Sequence, residues 1–153
     1  MRYRTIHTLV CFLLLMAANI QADNLTQPVS LVPCPVSIVP GTGNFHFSEE
    51  TTFAVENEEQ AVEVRRFTAL LTRAAGFTPR IKVGNKKGDV CLTTDVGLKE
   101  EAYKLEITAK RINIHAADVQ GFFYALQSIR QLLPAAIEGG QVVTGIDWTV
   151  PAV

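Results

Sequence analysis

The segment from Asp118 to Pro134 constrains this chain more than any other. Phe122, Ala125, Leu126, Ile129 and Leu133 recur at the three-and-four spacing of one helical face, while Gln127, Ser128, Arg130 and Gln131 fall elsewhere. The spacing predicts a helix with one buried side. Asp118 can accept hydrogen bonds from the first free backbone N–H groups, and Pro134 cannot continue the ladder, so both ends are marked. Gly121 is out of place, because glycine weakens a helix by about 1 kcal/mol relative to alanine. Its expected reason is close approach of the first turn to a neighbouring strand.

A second helix is expected to begin at Asn57, where the side chain can cap and Gln60 can reach back as in a capping box. Ala61, Val64, Phe67, Leu71 and Ala74 form its buried stripe, and Gly76 supplies the stop. Glu58, Glu59 and Glu63 lie early, Arg65, Arg66 and Arg73 late, which complements the helix dipole and reads as a solvated face.

The remaining regular segments alternate with period two or are rich in β-branched residues. Val36 to Val39 and Asn44 to Phe47 flank Pro40-Gly41-Thr42-Gly43 and read as two short strands around a turn, with Phe45 and Phe47 on one side and His46 on the other. Thr51 to Val55, Pro79 to Val83 and Asp89 to Thr93 are further strands, the last an interior one because of its apolar run. Tyr103, Leu105 and Ile107, then Ile112, Ile114 and Ala116, predict a hairpin with one face on the core and His115 on the polar side. Gln141 to Asp147 is expected to return as a short strand or connector. Two helices and several strands give an α+β two-layer sandwich, a mixed and mostly antiparallel sheet with both helices on one face.

Read in order, Glu101-Ala102-Tyr103-Lys104-Leu105-Glu106-Ile107, Ile112-Asn113-Ile114-His115-Ala116 and Gly121-Phe122-Phe123-Tyr124-Ala125-Leu126-Gln127-Ser128-Ile129-Arg130-Gln131-Leu132-Leu133 resemble a known arrangement. It is the small α/β domain that precedes the catalytic barrel in family 20 β-N-acetylhexosaminidases. Leu31-Val32-Pro33-Cys34-Pro35, followed by Gly43-Asn44-Phe45, is compatible with that family's opening strand. The resemblance implies a non-catalytic domain over residues 31–147, with residues 148–153 leading into a (β/α)₈ barrel beyond Val153. It also implies a parent that removes terminal β-linked N-acetylhexosamine from glycans. In the family an adjacent Asp-Glu pair on a barrel strand does this work, the Glu as general acid and the Asp orienting the substrate's own acetamido group.

The chain itself carries no such machinery. No Asp-Glu dipeptide occurs, and the acidic pairs Glu49-Glu50, Glu58-Glu59 and Glu100-Glu101 stand at turns or a helix start, where solvated charge is ordinary. His46 and His115 lie on separate strands with no His-Glu-x-x-His helix, so a zinc peptidase has no ligands here. There is no Gly-x-Ser-x-Gly elbow, P-loop or Gly-x-Gly-x-x-Gly. No catalytic, cofactor-binding or metal residue is assigned, and a barrel of about 250 residues cannot be hidden in 153. Trp148, the only tryptophan, could stack on a sugar or pack on a following domain. The alternatives are a free-standing secreted carbohydrate-binding or interaction module, or the same domain from another glycosidase family.

The first 22 residues read as an export signal. Arg2 and Arg4 precede the ten-residue apolar run Leu9 to Ala18, and Ala22 offers a small residue before a cut at Asp23. The run is too short for the ~20 residues that span a bilayer. Removing it leaves 12 basic and 15 acidic residues, net −3, with no basic cluster for nucleic acid. Residues 23–30 are expected to be a flexible tether carrying the sequon Asn24-Leu25-Thr26. An oxidising compartment would permit a Cys34–Cys91 bridge, but a free thiol is the expected state for Cys91 in its apolar strand.

Overall fold

An amphipathic helix must bury its apolar stripe, and here two such helices share one sheet. The computed structural model describes residues 30–153; the leader, the sequon and most of the tether lie outside them. Helix α1 spans Glu58–Ala75 and helix α2 spans Val119–Leu132. They pack side by side, α1 over the first strands of the sheet and α2 over the last.

Asn57 caps α1, its Oδ1 accepting from the Gln60 N–H at 3.0 Å. Gln60 reaches one residue further back than a capping box requires, accepting from the Glu56 N–H at 2.8 Å. Gly76 ends the helix at φ 80°, the left-handed region in which glycine lacks the Cβ penalty. The five stripe residues from Ala61 to Ala74 are all buried, as the spacing predicts. Glu63 is the exception to the solvated face expected for the charges, being only 7% exposed.

Asp118 caps α2 through Oδ1, which accepts from the Gly121 N–H, while its Oδ2 accepts from the Glu101 N–H in a neighbouring loop. A Cβ placed on Gly121 would stand 2.8 Å from the Ala102 carbonyl oxygen and 2.9 Å from the Ala116 Cβ. This is the close approach that the out-of-place glycine implied. After α2 a short 3₁₀ turn, Ala135–Glu138, is clasped by Arg130, whose guanidinium donates from Nε and Nη2 to the two Glu138 oxygens.

Strands β1 (Asn44–His46), β2 (Thr52–Val55), β3 (Arg80–Val83), β4 (Val90–Thr94), β5 (Tyr103–Ile107), β6 (Ile112–Ala116) and β7 (Thr149–Pro151) follow in chain order. The main sheet runs β3-β2-β4-β6-β5, so β4 is interior, as its apolar run predicts. The mixed sheet is present, with the hairpin β5/β6 and the pair β1/β7 antiparallel. The β3/β2, β2/β4 and β4/β6 pairings are parallel, however, which corrects the expectation of a mostly antiparallel main sheet. The cause is connection: α1 carries the chain back to the start of the sheet between β2 and β3, and residues 95–102 pass over β6 to enter β5.

One strand assignment is also corrected, and the segment expected as a short strand or connector takes the second form. Val36 to Val39 forms no strand, and β1 instead pairs with β7 in the register Phe45 to Val150. Gln141 to Asp147 is a connector without strand structure, and the closing strand comes from Thr149–Pro151. Gly41 lies beside this closing strand: its N–H donates to the Ala152 carbonyl at 2.9 Å, and a Cβ there would meet the Ala152 Cβ at 2.9 Å.

One sheet face carries Phe53, Val55, Val90, Leu92, Ile107, Ile112 and Ile114, all buried under the helices. Phe45 from β1 and Phe47 just after it join them while His46 is exposed. The opposite face bears Thr93, Asn113 and the half-buried His115 with exposed Lys104 and Glu106. Cys34 and Cys91 are free thiols.

Acid weakens this arrangement at identifiable places. The Arg130 hydrogen bonds hold Glu138 below its ordinary pKa, and the Glu101 and Gly121 N–H donors do the same for Asp118. A depressed native pKa contributes stability above the unfolded-state value that is lost as pH falls through the folded one. The thermal midpoint is therefore expected to be level near neutrality and to fall below about pH 4.5. A scan of the double variant Asp118→Asn, Glu138→Gln checks this, and should show a shallower acid loss.

Candidate functional site

The residues that could do chemistry lie apart. Glu49-Glu50 is in a turn, Glu58-Glu59 opens α1, and Glu100-Glu101 lies in the loop before β5, so the three acidic pairs occupy three separate places. His46 Nδ1 lies 3.0 Å from Asp147 Oδ1 at the exposed β1/β7 margin, and His115 is on the far sheet face. Among the described residues no three His, Cys, Asp or Glu side chains come close enough to hold a metal ion. Trp148 is 6% exposed and belongs to this domain's core, so its ring cannot serve as a sugar platform here. Among the described residues no helix is long and apolar enough to cross a membrane.

Two features of the helix layer remain. The first is its outer surface, where Val62 on α1 and Phe123 and Tyr124 on α2 are each about 40% exposed. Phe123 and Tyr124 pack edge to face with ring centroids 5.5 Å apart. Beside them Gln131 holds the incoming chain, donating to the Val32 carbonyl and accepting from the Val32 N–H, both at 2.9 Å. Val32, Val36 and Val39 on that incoming segment are also exposed.

The second feature is a cleft of about 650 Å³ at the carboxyl ends of β4 and β6, between the first turns of the two helices. Asn57, Glu59, Gln60, Val62 and Glu63 line it from α1, Asp118, Val119, Gln120 and Phe122 from α2, with Thr94 at the end of β4. Glu56 braces its edge by accepting from the Thr94 N–H at 2.9 Å and from Gln60 Nε2. Desolvation raises the Glu56 pKa, but these hydrogen bonds outweigh it and hold the carboxyl below its ordinary range. Sequence reasoning missed the cleft because its walls come from three separated stretches. The Glu63 carboxylate, buried and paired with Arg66 of its own helix, gave no signal beyond its place in the first turns.

Residues 28–153 match the family model described as glycosyl hydrolase family 20, domain 2. A β-hexosaminidase of Porphyromonas gingivalis is 28% identical over 94% of this chain, which spans only 19% of that relative's length. A lacto-N-biosidase of Bifidobacterium bifidum is 30% identical over 72% of this chain and 10% of its own. Among solved structures, the Streptomyces plicatus N-acetyl-β-hexosaminidase superposes with a TM-score of 0.73 at 27% identity, covering 82% of this chain and 26% of that one. The family 20 β-N-acetylhexosaminidase of Streptomyces coelicolor gives 0.70 at 29%, covering 78% and 24%. With its fold, its three motif segments and nearly all of its described residues matched, the chain belongs to glycosyl hydrolase family 20, as a domain 2 of that family.

Proposed function

We propose that this chain is the non-catalytic N-terminal domain of an exported β-N-acetylhexosaminidase. Its parent hydrolyses terminal β-linked N-acetylhexosamine by substrate-assisted catalysis on a following barrel. The observation that carries this reading is the mismatch in extent: nearly the whole chain matches about a fifth of a β-hexosaminidase. The dispersal of its acidic pairs supports the same assignment. The domain's work is then structural. The exposed Val62, Phe123 and Tyr124 on the helix layer form the surface that docks on the catalytic domain, because apolar side chains gathered on one surface mark an interaction site. Export rests on Arg2, Arg4 and the apolar run Leu9 to Ala18.

The test is an assay of the purified chain on a chromogenic aryl N-acetyl-β-glucosaminide. The expected result is release no faster than in buffer. Turnover that co-purifies with the chain and survives a second chromatographic step would overturn the reading.

A further inference from the structure

The main sheet has one edge whose backbone is largely open. β5 is the last strand in the order β3-β2-β4-β6-β5, and its ladder partner is β6. Along a strand, successive residues turn their N–H and C=O groups to alternate sides. The Thr108 N–H donates to the Arg111 carbonyl across the hairpin, and the Ala102 carbonyl accepts from the Ala117 N–H, so Lys104 and Glu106 between them face β6. Tyr103, Leu105 and Ile107 therefore turn their backbone groups outward. Among the described residues, those of Tyr103 and Leu105 have no backbone partner.

Ile107 shows what such a position accepts. Its N–H donates to the Val153 carbonyl at 2.8 Å, and its carbonyl accepts from the Val153 N–H at 3.1 Å. Two residues that exchange both bonds form the closely spaced pair of an antiparallel ladder, whereas a parallel pairing would spread the bonds over two neighbours. The backbone at Val153 thus runs along β5 in the direction from Ile107 toward Tyr103. Its course is held from the other side as well, where the Ala152 N–H donates to the Gly43 carbonyl and the Ala152 carbonyl accepts from the Gly41 N–H, both at 2.9 Å.

The side chains leave the edge ready for a neighbour. Tyr103 and Leu105 are half-buried and pack on the core from the helix side, the Tyr103 hydroxyl sharing a 2.7 Å hydrogen bond with Ser128 of α2. Lys104 and Glu106, on the other face, are drawn back over the sheet: Glu106 accepts from Asn113 Nδ2 at 3.0 Å, and Lys104 Nζ stands 4.0 Å from Asp95. The opposite edge differs, since β3 carries exposed Arg80 and Lys82, the kind of charge that keeps a free edge from pairing.

We propose that the outer edge of β5 is a strand-addition site whose occupant is the segment encoded directly after Val153. That segment continues the ladder begun at Ile107, its second residue opposite Leu105 and its fourth opposite Tyr103. Directly opposite residues share a face, so these two are apolar and cover the half-buried side chains, while the first and third are polar. The inference rests on the proposed parent, because only a longer product supplies the strand. It makes the junction with the catalytic domain an antiparallel extension of this sheet rather than a free linker.

The experiment compares amide hydrogen exchange in this chain and in the same chain lengthened by about six of the residues encoded next, a strand's length. The expected result is exchange at least tenfold slower at Tyr103 and Leu105 in the longer chain, with Glu106, which faces β6 in both, unchanged. A cross-strand Hα–Hα contact between Glu106 and the first added residue should accompany it. An open frame whose added residues leave both amides fast overturns the strand and leaves the parent reading standing. Slowing in the 153-residue chain that grows with its concentration gives the edge to a second copy and overturns the occupant. A stop codon directly after Val153 overturns the parent reading and this occupant together.

Discussion

Phe53→Ala is expected to destabilise the domain by about 3–5 kcal/mol, which is a large share of the 5–15 kcal/mol typical of a whole domain. Phe53 is fully buried on β2, a strand paired on both sides. Its ring stacks on Phe47 with centroids 6.4 Å apart and tilts against Phe67 at 6.0 Å. The substitution therefore opens a cavity where β1, the sheet and α1 meet, and none of these can collapse into it without breaking a ladder or a helix contact. Denaturant unfolding checks the value. A loss below about 1 kcal/mol would mean that the aromatic cluster is not the centre of the core.

Gly121→Val is the second large effect. The added side chain points at the Ala102 carbonyl oxygen and the Ala116 Cβ, 2.8 and 2.9 Å from the new Cβ. Neither is the far end of a flexible chain. The Ala102 carbonyl also accepts from the Ala117 N–H, so moving it loosens the entry to α2. Overpacking of this kind costs about 1–3 kcal/mol, and displacement of the Asp118 cap adds to it. Gly140→Ala is the control, because a Cβ there meets nothing within 4 Å. Thermal midpoints of the two variants separate clash from a general effect of losing glycine; equal midpoints would remove the close-approach explanation.

These two positions also divide what was legible in the sequence from what was not. Gly121 was readable because a glycine inside a strong helical period needs a reason, and the reason lay within the twenty residues upstream, in Ala102 and Ala116. Both helices, with the caps Asn57, Asp118 and Gly76, follow from local chemistry and emerge as expected. The β5/β6 hairpin does too, since its partners are adjacent in the chain. Strand partnership over long separations was not legible. Pro40-Gly41-Thr42-Gly43 has the composition of a hairpin turn, but Gly41 is needed for the approach of Ala152, more than a hundred residues later. The parallel β2, β3, β4 and β6 pairings depend on where α1 and the 95–102 loop return the chain, which period-two alternation cannot encode. Glu63 was misplaced for the same reason. Its burial comes from its surroundings in the fold, not from its own helix.

The family resemblance reached further than periodicity because it rests on three elements in fixed order, and the domain-2 match over residues 28–153 bears it out. What it implies about catalysis concerns sequence beyond this domain. The most direct measurement is therefore to read the gene on from the codon for Val153. The account predicts an open frame running on for about the 250 residues of a barrel and carrying an adjacent Asp-Glu pair. An in-frame stop directly after Val153 would contradict it, leaving a domain 2 with no catalytic domain to complete.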